Sequence, residues 1–313
     1  MKQAVIDLGS NSIRLSVYEC ENDKILKIFN EKEIAGLAGY TSNGILQEAG
    51  IQKACTVLNS FKEIASKFAE PSNIYLFATA SLRNIKNRND AINIITETTS
   101  LIPDILEGEE EAAFGFDGAS KFINCENGIM IDIGGASTEF VLFIDYKAAI
   151  FTSLPIGCLN LSVKYVNKII PAKTEKKQIN NEIKEQLSKI EWFEGVNCPL
   201  MVGIGGTLRA ALKLSHVIFD IPVEQNYMSA HYVKEILQQL KNNTGNIYHS
   251  IYKTIPERLM TISTGLMILQ QAIKKFGCDT IAVSKFGVRE GYLINRVLKA
   301  NGEYHVTQGS EEN

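Results

Sequence analysis

Three short stretches of this 313-residue chain have the makeup of anion cradles: Gly9-Ser10-Asn11-Ser12, Gly134-Gly135-Ala136-Ser137-Thr138 and Gly203-Ile204-Gly205-Gly206-Thr207. Small residues in a tight turn let several backbone N–H groups converge on one anion, because no side chain blocks the approach. The first two stretches each follow an apolar run that ends in an aspartate, Asp7 and Asp132. A carboxylate at the end of a buried strand is costly unless it is paired or bound to a cation. Asp7 and Asp132 are therefore candidates for holding Mg²⁺ beside phosphate, directly or through water. Taken singly, each loop also reads as a hairpin turn and each aspartate as a cap of its own turn. In the third stretch strand-to-helix geometry explains the glycines nearly as well as anion binding by a helix N-terminus does.

The elements that must position these loops are legible in the apolar pattern. Val5-Ile6, the turn from Asp7 to Ser12 and Ile13 to Tyr18 read as strand, tight loop, strand, and the same grammar returns from Ile129 to Phe143. The two aspartates lie 132 − 7 = 125 positions apart, so the chain looks like one fold written twice. Between the copies, apolar residues from Ile51 to Phe68 recur at helical spacing, Asn73 to Thr79 reads as a strand, and Asp90 to Thr98 as a helix. Glu109-Glu110-Glu111 opens another helix, where acidic side chains suit the positive end of the dipole. The second half predicts a strand at Leu200 to Ile204, a helix from about Thr207, a long helix from Glu257 to Phe276 and a strand at Thr280 to Val283. Alternation of this kind implies an α/β fold with helices packed on mixed sheets. Lys173 to Lys184 reads as a solvated helix face, with a track for a polyanion as the alternative.

Length suits two domains of about 150 residues each. With 45% hydrophobic and 21% charged residues the chain has a globular enzyme's composition. A net charge of −3 gives no broad positive field to draw in nucleic acid, so local groups must hold any anionic ligand. The six cysteines form no C-x-x-C pair and read as reduced thiols, and the four histidines show no metal-ligand spacing. Neither a leader nor an apolar run of about 20 residues is present, which places the protein in the cytoplasm, off the membrane. The polar end from Gly302 to Asn313 reads as a disordered tail.

Several segments resemble the exopolyphosphatase/guanosine pentaphosphate phosphohydrolase family: Val5 to Ser12, Glu107-Gly108-Glu109-Glu110-Glu111-Ala112, Ile131 to Glu139 and Gly205-Gly206-Thr207. Leu154-Pro155-Ile156-Gly157-Cys158 and Ser284 to Gly291 match two further family stretches in the expected order. The resemblance covers nearly the whole chain. It implies two ribonuclease-H-like domains of the actin, sugar-kinase and heat-shock-chaperone ATPase superfamily, with the active site in the cleft between them. The domains would span 1–124 and 125–300, followed by the tail 301–313, and the protein would be a homodimer.

By the same resemblance, Glu111 is the catalytic base that orients or deprotonates water, with Glu110 beside it. The residues alone would read Glu109 to Glu111 as no more than a charged first turn. Asp132, Gly134, Gly135 and Glu139 carry over as metal and phosphate contacts. Arg83 and Asn87 carry over as clamps on a terminal phosphoryl group, a role that suits a guanidinium. Gly9, Ser10, Asn11, Ser12, Ser137, Thr138, Gly205, Gly206 and Thr207 complete the expected phosphate site, with Asp7, Asp132 and Glu139 as metal ligands. Ala136 stands where the family often has a third glycine, and Glu107 where it usually has serine. The chain ends at Asn313 without the helical domains of longer relatives, which favours short chains or small nucleotides. The expected activity is release of the terminal phosphate from inorganic polyphosphate, with guanosine pentaphosphate as the alternative substrate. A phosphotransferase using ATP, or a polyphosphate or nucleotide sensor without turnover, are the rival readings.

Overall fold

A computed structural model of the chain describes residues 1–21, 24–120, 125–192, 198–242 and 246–299. The first sheet holds β1 (Lys2–Leu8), β2 (Ile13–Glu21), β3 (Lys24–Glu33), β6 (Ile74–Ala78) and β7 (Pro103–Ile105); β4 (Thr41–Ser42) and β5 (Ile45–Leu46) form a small separate hairpin. The second sheet holds β8 (Gly128–Ile133), β9 (Thr138–Ile144), β10 (Lys147–Leu154), β11 (Leu200–Ile204), β12 (Tyr227–Ser229) and β13 (Thr280–Val283). Strand order is β3-β2-β1-β6-β7 in one and β10-β9-β8-β11-β13-β12 in the other. In both, the first three strands are antiparallel and the next two join in parallel, so the duplication read from the two loops is a duplication of topology.

The helices are α1 (Glu48–Ala65), α2 (Ala80–Arg83), α3 (Arg88–Thr99), α4 (Gly108–Ser120), α5 (Cys158–Tyr165), α6 (Lys173–Ser188), α7 (Gly205–Phe219), α8 (Ala230–Asn242), α9 (Ile247–Thr254), α10 (Ile262–Phe276) and α11 (Val288–Tyr292), the last running on as a π-helical segment over Leu293–Leu298. Each sheet packs helices over its own apolar core, one around Ile6, Leu15 and Leu58, the other around Ile131, Phe140 and Leu266. In α6 the lysine-bearing face is solvated while Ile179, Ile183 and Leu187 are buried at helical spacing.

Two helices tie the halves together. Ala112, Phe116 and Ala119 of α4 pack on Met130, Val141 and Val202 of the second sheet, whereas Tyr292, Leu293 and Val297 return to Val5, Tyr18 and Phe77 of the first. They cross in near backbone contact, since a Cβ on Gly291 would lie 1.8 Å from the Phe114 carbonyl oxygen. Glu111 on α4 is thereby held at the junction. The division at 124/125 falls beside 121–124, outside the described residues, as does the tail 301–313.

One expected element differs. The long helix from Glu257 is a 3₁₀ turn over Pro256–Arg258, a break, and then α10 from Ile262. The N–H groups of Leu259 and Thr261 reach back only three residues, to Pro256 and Arg258. Apolar periodicity persists through this tight turn, which is why the pattern concealed it. Smaller shifts occur at α7, which begins at Gly205 and not at Thr207, and at α1, which stops before Phe68.

Candidate active site

Both duplicated loops are held from behind. In the first, the Ser10 and Asn11 carbonyls accept hydrogen bonds from the Ala38 and Gly36 N–H groups at 3.0 and 2.9 Å, and the Ser81 hydroxyl donates to the Leu8 carbonyl. In the second, the Gly134 carbonyl accepts from Cys158 N–H, and the Gly135 carbonyl from Leu159 and Asn160 N–H, each at 2.9 Å. The Asn160 side-chain amide donates to the Ala136 carbonyl at 3.1 Å. In a trans peptide the N–H points away from the preceding carbonyl, so tying these carbonyls back turns the following amides forward. Those amides belong to Gly9, Asn11 and Ser12 in one loop and to Gly135, Ala136 and Ser137 in the other. The motif Leu154-Pro155-Ile156-Gly157-Cys158 thus acts as the brace of the second loop.

The loops meet across a cavity of about 100 Å³ lined by Gly9 to Ser12, Gly134 to Ser137, Gly205, Gly206, Asp7, Asp132 and Glu111. A Cβ on Gly135 would lie 3.1 Å from Asn11 N, so the two turns are almost in contact. Gly205 has φ +79, and a Cβ there would sit 2.0 Å from Asp132 Oδ1. Only glycine fits that position. Asn11 Nδ2 is buried without an acceptor among the described residues, an arrangement that favours an incoming acceptor such as a phosphate oxygen.

Glu111 Oε2 accepts from Arg83 Nη1 at 2.8 Å, and the same nitrogen donates to the Leu106 carbonyl. Arg83 Nη2 stands 3.9 Å from Glu139 Oε1, which accepts the Ser153 hydroxyl at 2.8 Å. Burial, with the Glu139 charge adding to it, holds the Glu111 carboxyl well above the usual carboxylate range. Burial likewise raises Glu139, where Asp132 is the next cause. Asp7 and Asp132 are also raised by burial, opposed by Arg289 and Arg14 at the first and by Arg209 and Arg14 at the second. A carboxylate whose proton affinity is raised in this way is a stronger base toward water than a free one.

The cavity opens into a groove of about 430 Å³, the two sharing Arg14, Gly206 and Arg258. Eight lysines and arginines line this groove against one acid, Glu257. Burial, then the neighbouring Arg289 and Arg209, push Arg14 down to about 9, and burial and Arg289 push Arg209 down to about 10. Both remain cationic at neutral pH, and with the other basic side chains of the lining they make the groove a concentration of like charge suited to a polyanion. None of these cations was singled out in the sequence. Arg14 could have been found, seven residues after Asp7 as Glu139 is after Asp132; Arg289 lies in the matched stretch from Ser284 to Gly291, while Arg209 and Arg258 carry no local signal.

Five expected site residues point elsewhere. Asn87 exchanges hydrogen bonds with both backbone groups of Leu46, at 3.0 and 2.9 Å, and so fixes the β5 hairpin instead of clamping a phosphate. Arg83 lies behind Glu111 and is directed at it rather than into the cavity. The Thr138 hydroxyl donates to the Ile156 carbonyl and that of Thr207 to the Ile133 carbonyl, so both side chains serve the fold. Glu139 is buried beside Arg83 and outside the cavity lining; its Oε2 has no hydrogen-bond partner among the described residues. Nor, among the described residues, do three His, Cys, Asp or Glu side chains converge as a metal shell. Of the three expected metal ligands, Asp7 and Asp132 line the cavity, and two carboxylates beside a phosphate site fit Mg²⁺, which keeps several waters and takes few protein ligands.

Two ribonuclease-H-like sheets facing one phosphate-sized cavity define the actin-like ATPase class of fold. Residues 16–300 match the Ppx/GppA phosphatase family, and the chain belongs to it. It is 29% identical over 309 residues to the bifunctional 3-dehydroquinate synthase/phosphatase of Fusobacterium nucleatum, covering 94% of this chain and 46% of that protein. Exopolyphosphatase 1 of Mycobacterium tuberculosis is 20% identical over 305 residues, covering 95% and 88%. The guanosine-5'-triphosphate,3'-diphosphate pyrophosphatase of Aliivibrio fischeri is 26% identical over 308 residues, covering 94% and 59%. The chain thus spans about half the length of two of these relatives and most of the third. The crystal structure of the Aquifex aeolicus Ppx/GppA family member superimposes with a TM-score of 0.76 at 25% identity, covering 96% of this chain and 99% of that one. No helix of the described residues is long and apolar enough to cross a membrane.

Proposed function

We propose that the protein hydrolyses the terminal phosphoanhydride bond of inorganic polyphosphate. The observation that carries this is that the Glu111 carboxylate lines the same small cavity as both amide loops, with Asp7 and Asp132 beside it. About 100 Å³ has room for a terminal phosphoryl group and is well below the roughly 300 Å³ at which small-molecule pockets begin. The rest of the substrate then lies in the cationic groove. Glu111, oriented by Arg83, positions a water and takes its proton as oxygen attacks phosphorus in line. The new P–O bond forms as the anhydride P–O bond breaks, and the leaving chain keeps its negative charge among Arg14 and Arg258. Asp7 and Asp132 would hold Mg²⁺, whose charge offsets that of the phosphate oxygens.

Guanosine pentaphosphate is the second reading, favoured by a groove of about 430 Å³, within the range of pockets that hold drug-sized ligands. Phosphate release measured side by side on polyphosphates of several lengths and on guanosine pentaphosphate, with and without Mg²⁺, tests both. Transfer to an acceptor in preference to water would favour a kinase, and binding without release a sensor. We take the protein to be a cytoplasmic homodimer, which sedimentation of the purified chain and fractionation of its cells would check.

A further inference from the structure

Glu257 is the single acid among the described residues lining the cationic groove, and it does not face solvent idly. Its Oε1 meets Lys32 Nζ at 2.9 Å, with the two side chains 34% and 29% exposed. Lys32 belongs to β3 of the first sheet and Glu257 to the 3₁₀ turn before α10, so the pair spans the groove from one half of the molecule to the other. Half-exposed pairs of this kind contribute little to stability, so a competing polyanion displaces them readily.

Each partner is also chained to a guanidinium that reaches the cavity. Lys32 is the ladder partner of Arg14 on β2, and directly opposed residues of an antiparallel pair share one face. Glu257 immediately precedes Arg258. A chain short enough to lie between the cavity and the inner arginines leaves the pair closed. A longer chain lying along the groove reaches the Lys32–Glu257 pair that lines it and, in competing for Lys32, meets the negative charge of Glu257.

We propose that Glu257, through its ion pair with Lys32 across the groove, is a specificity-determining residue that sets the substrate class toward short polyanions and against long ones. This rests on the reading of the groove as the substrate's path. Loss of one unit of like-charge repulsion at contact distance in high dielectric corresponds to about fivefold in affinity.

The test titrates tripolyphosphate and long-chain polyphosphate against the full chain in metal-chelating buffer, with phosphate release measured in parallel with Mg²⁺. Glu257→Gln is expected to raise the preference for the long chain, as a ratio of Kd values, by about fivefold. The exchange Lys32→Glu with Glu257→Lys, which keeps an acid in the pair, is expected to return the ratio to that of the unsubstituted protein. Glu235→Gln changes net charge equally on α8, away from the groove, and should not move it. An unchanged ratio in Glu257→Gln, an equal change in Glu235→Gln, or no binding of either polyanion overturns the proposal. The expected ratios without phosphate release would support it while overturning the hydrolase reading instead.

Discussion

The two copies of the strand-loop-strand unit differ in charge at one equivalent position. Opposite Asp7 in its ladder stands Arg14, and opposite Asp132 stands Glu139. The surroundings follow the same division. Arg14 lies among Arg209, Arg258 and Arg289, where the groove begins, while Glu139 lies beside Glu111 and Arg83, where the cavity ends. One fold used twice has thus been given opposite charge at the same place. The first copy places a cation in the lining of the basic groove, and the second a buried carboxylate whose proton affinity burial raises.

This comparison is most easily broken at Glu111. Replacing it by Gln keeps the shape and removes the base, so kcat should fall by about 10²–10⁴, the usual worth of general base catalysis, with KM nearly unchanged. Steady-state kinetics decide it; an equal loss in KM would move Glu111 to substrate binding. Next in size is Gly205→Ala, which forces a Cβ against Asp132 at a positive φ. We expect a loss of about 1–2 kcal/mol from the left-handed backbone alone, read as a Tm fall of a few degrees, together with reduced kcat.

On the basic side Arg258→Gln should raise KM for polyphosphate by about tenfold or more, the worth of a charge-assisted hydrogen bond, and flatten the dependence of KM on salt. A change in kcat alone would contradict the division between copies. The smallest effect expected is a shift in pH profile. In the proposed mechanism Glu111 works as a carboxylate, and burial raises its proton affinity, so kcat should fall as pH is lowered through a value above that of free glutamate. Glu139→Gln removes the next largest cause and should move this acid limb to lower pH. The same raised affinity favours folding with Glu111 protonated; that contribution is full below the free-glutamate value and fades as pH rises through the raised one.

Much of this was legible in residue order. The aspartate-plus-small-residue loops and their spacing of 125 gave the duplicated topology, because a strand ending in a carboxylate before a glycine turn has few structural uses. Glu111 needed the family resemblance, since three glutamates opening α4 are ordinary in a helix's first turn. The groove as an assembled feature was not legible, although Arg14 had a spacing signal and Lys285 and Arg289 lie in a stretch that matches the family. Its cations come from β2, β3, α7, the turn before α10, the loop after β13 and α11, segments far apart in the chain that only the tertiary fold brings together. The side-chain roles of Asn87, Thr138 and Thr207 were misplaced for a related reason. Residues next to a phosphate loop are as often needed to brace it as to touch the ligand, and spacing does not separate the two.

A crystal structure of the Glu111→Gln variant with tripolyphosphate bound bears most directly on the account. The terminal phosphorus should lie between the Gly9–Ser12 and Gly134–Ser137 amides, with a water between it and residue 111 and the remaining phosphates toward Arg14 and Arg258. A terminal phosphate seated outside that cavity, or with residue 111 on the side of the leaving chain, would contradict it.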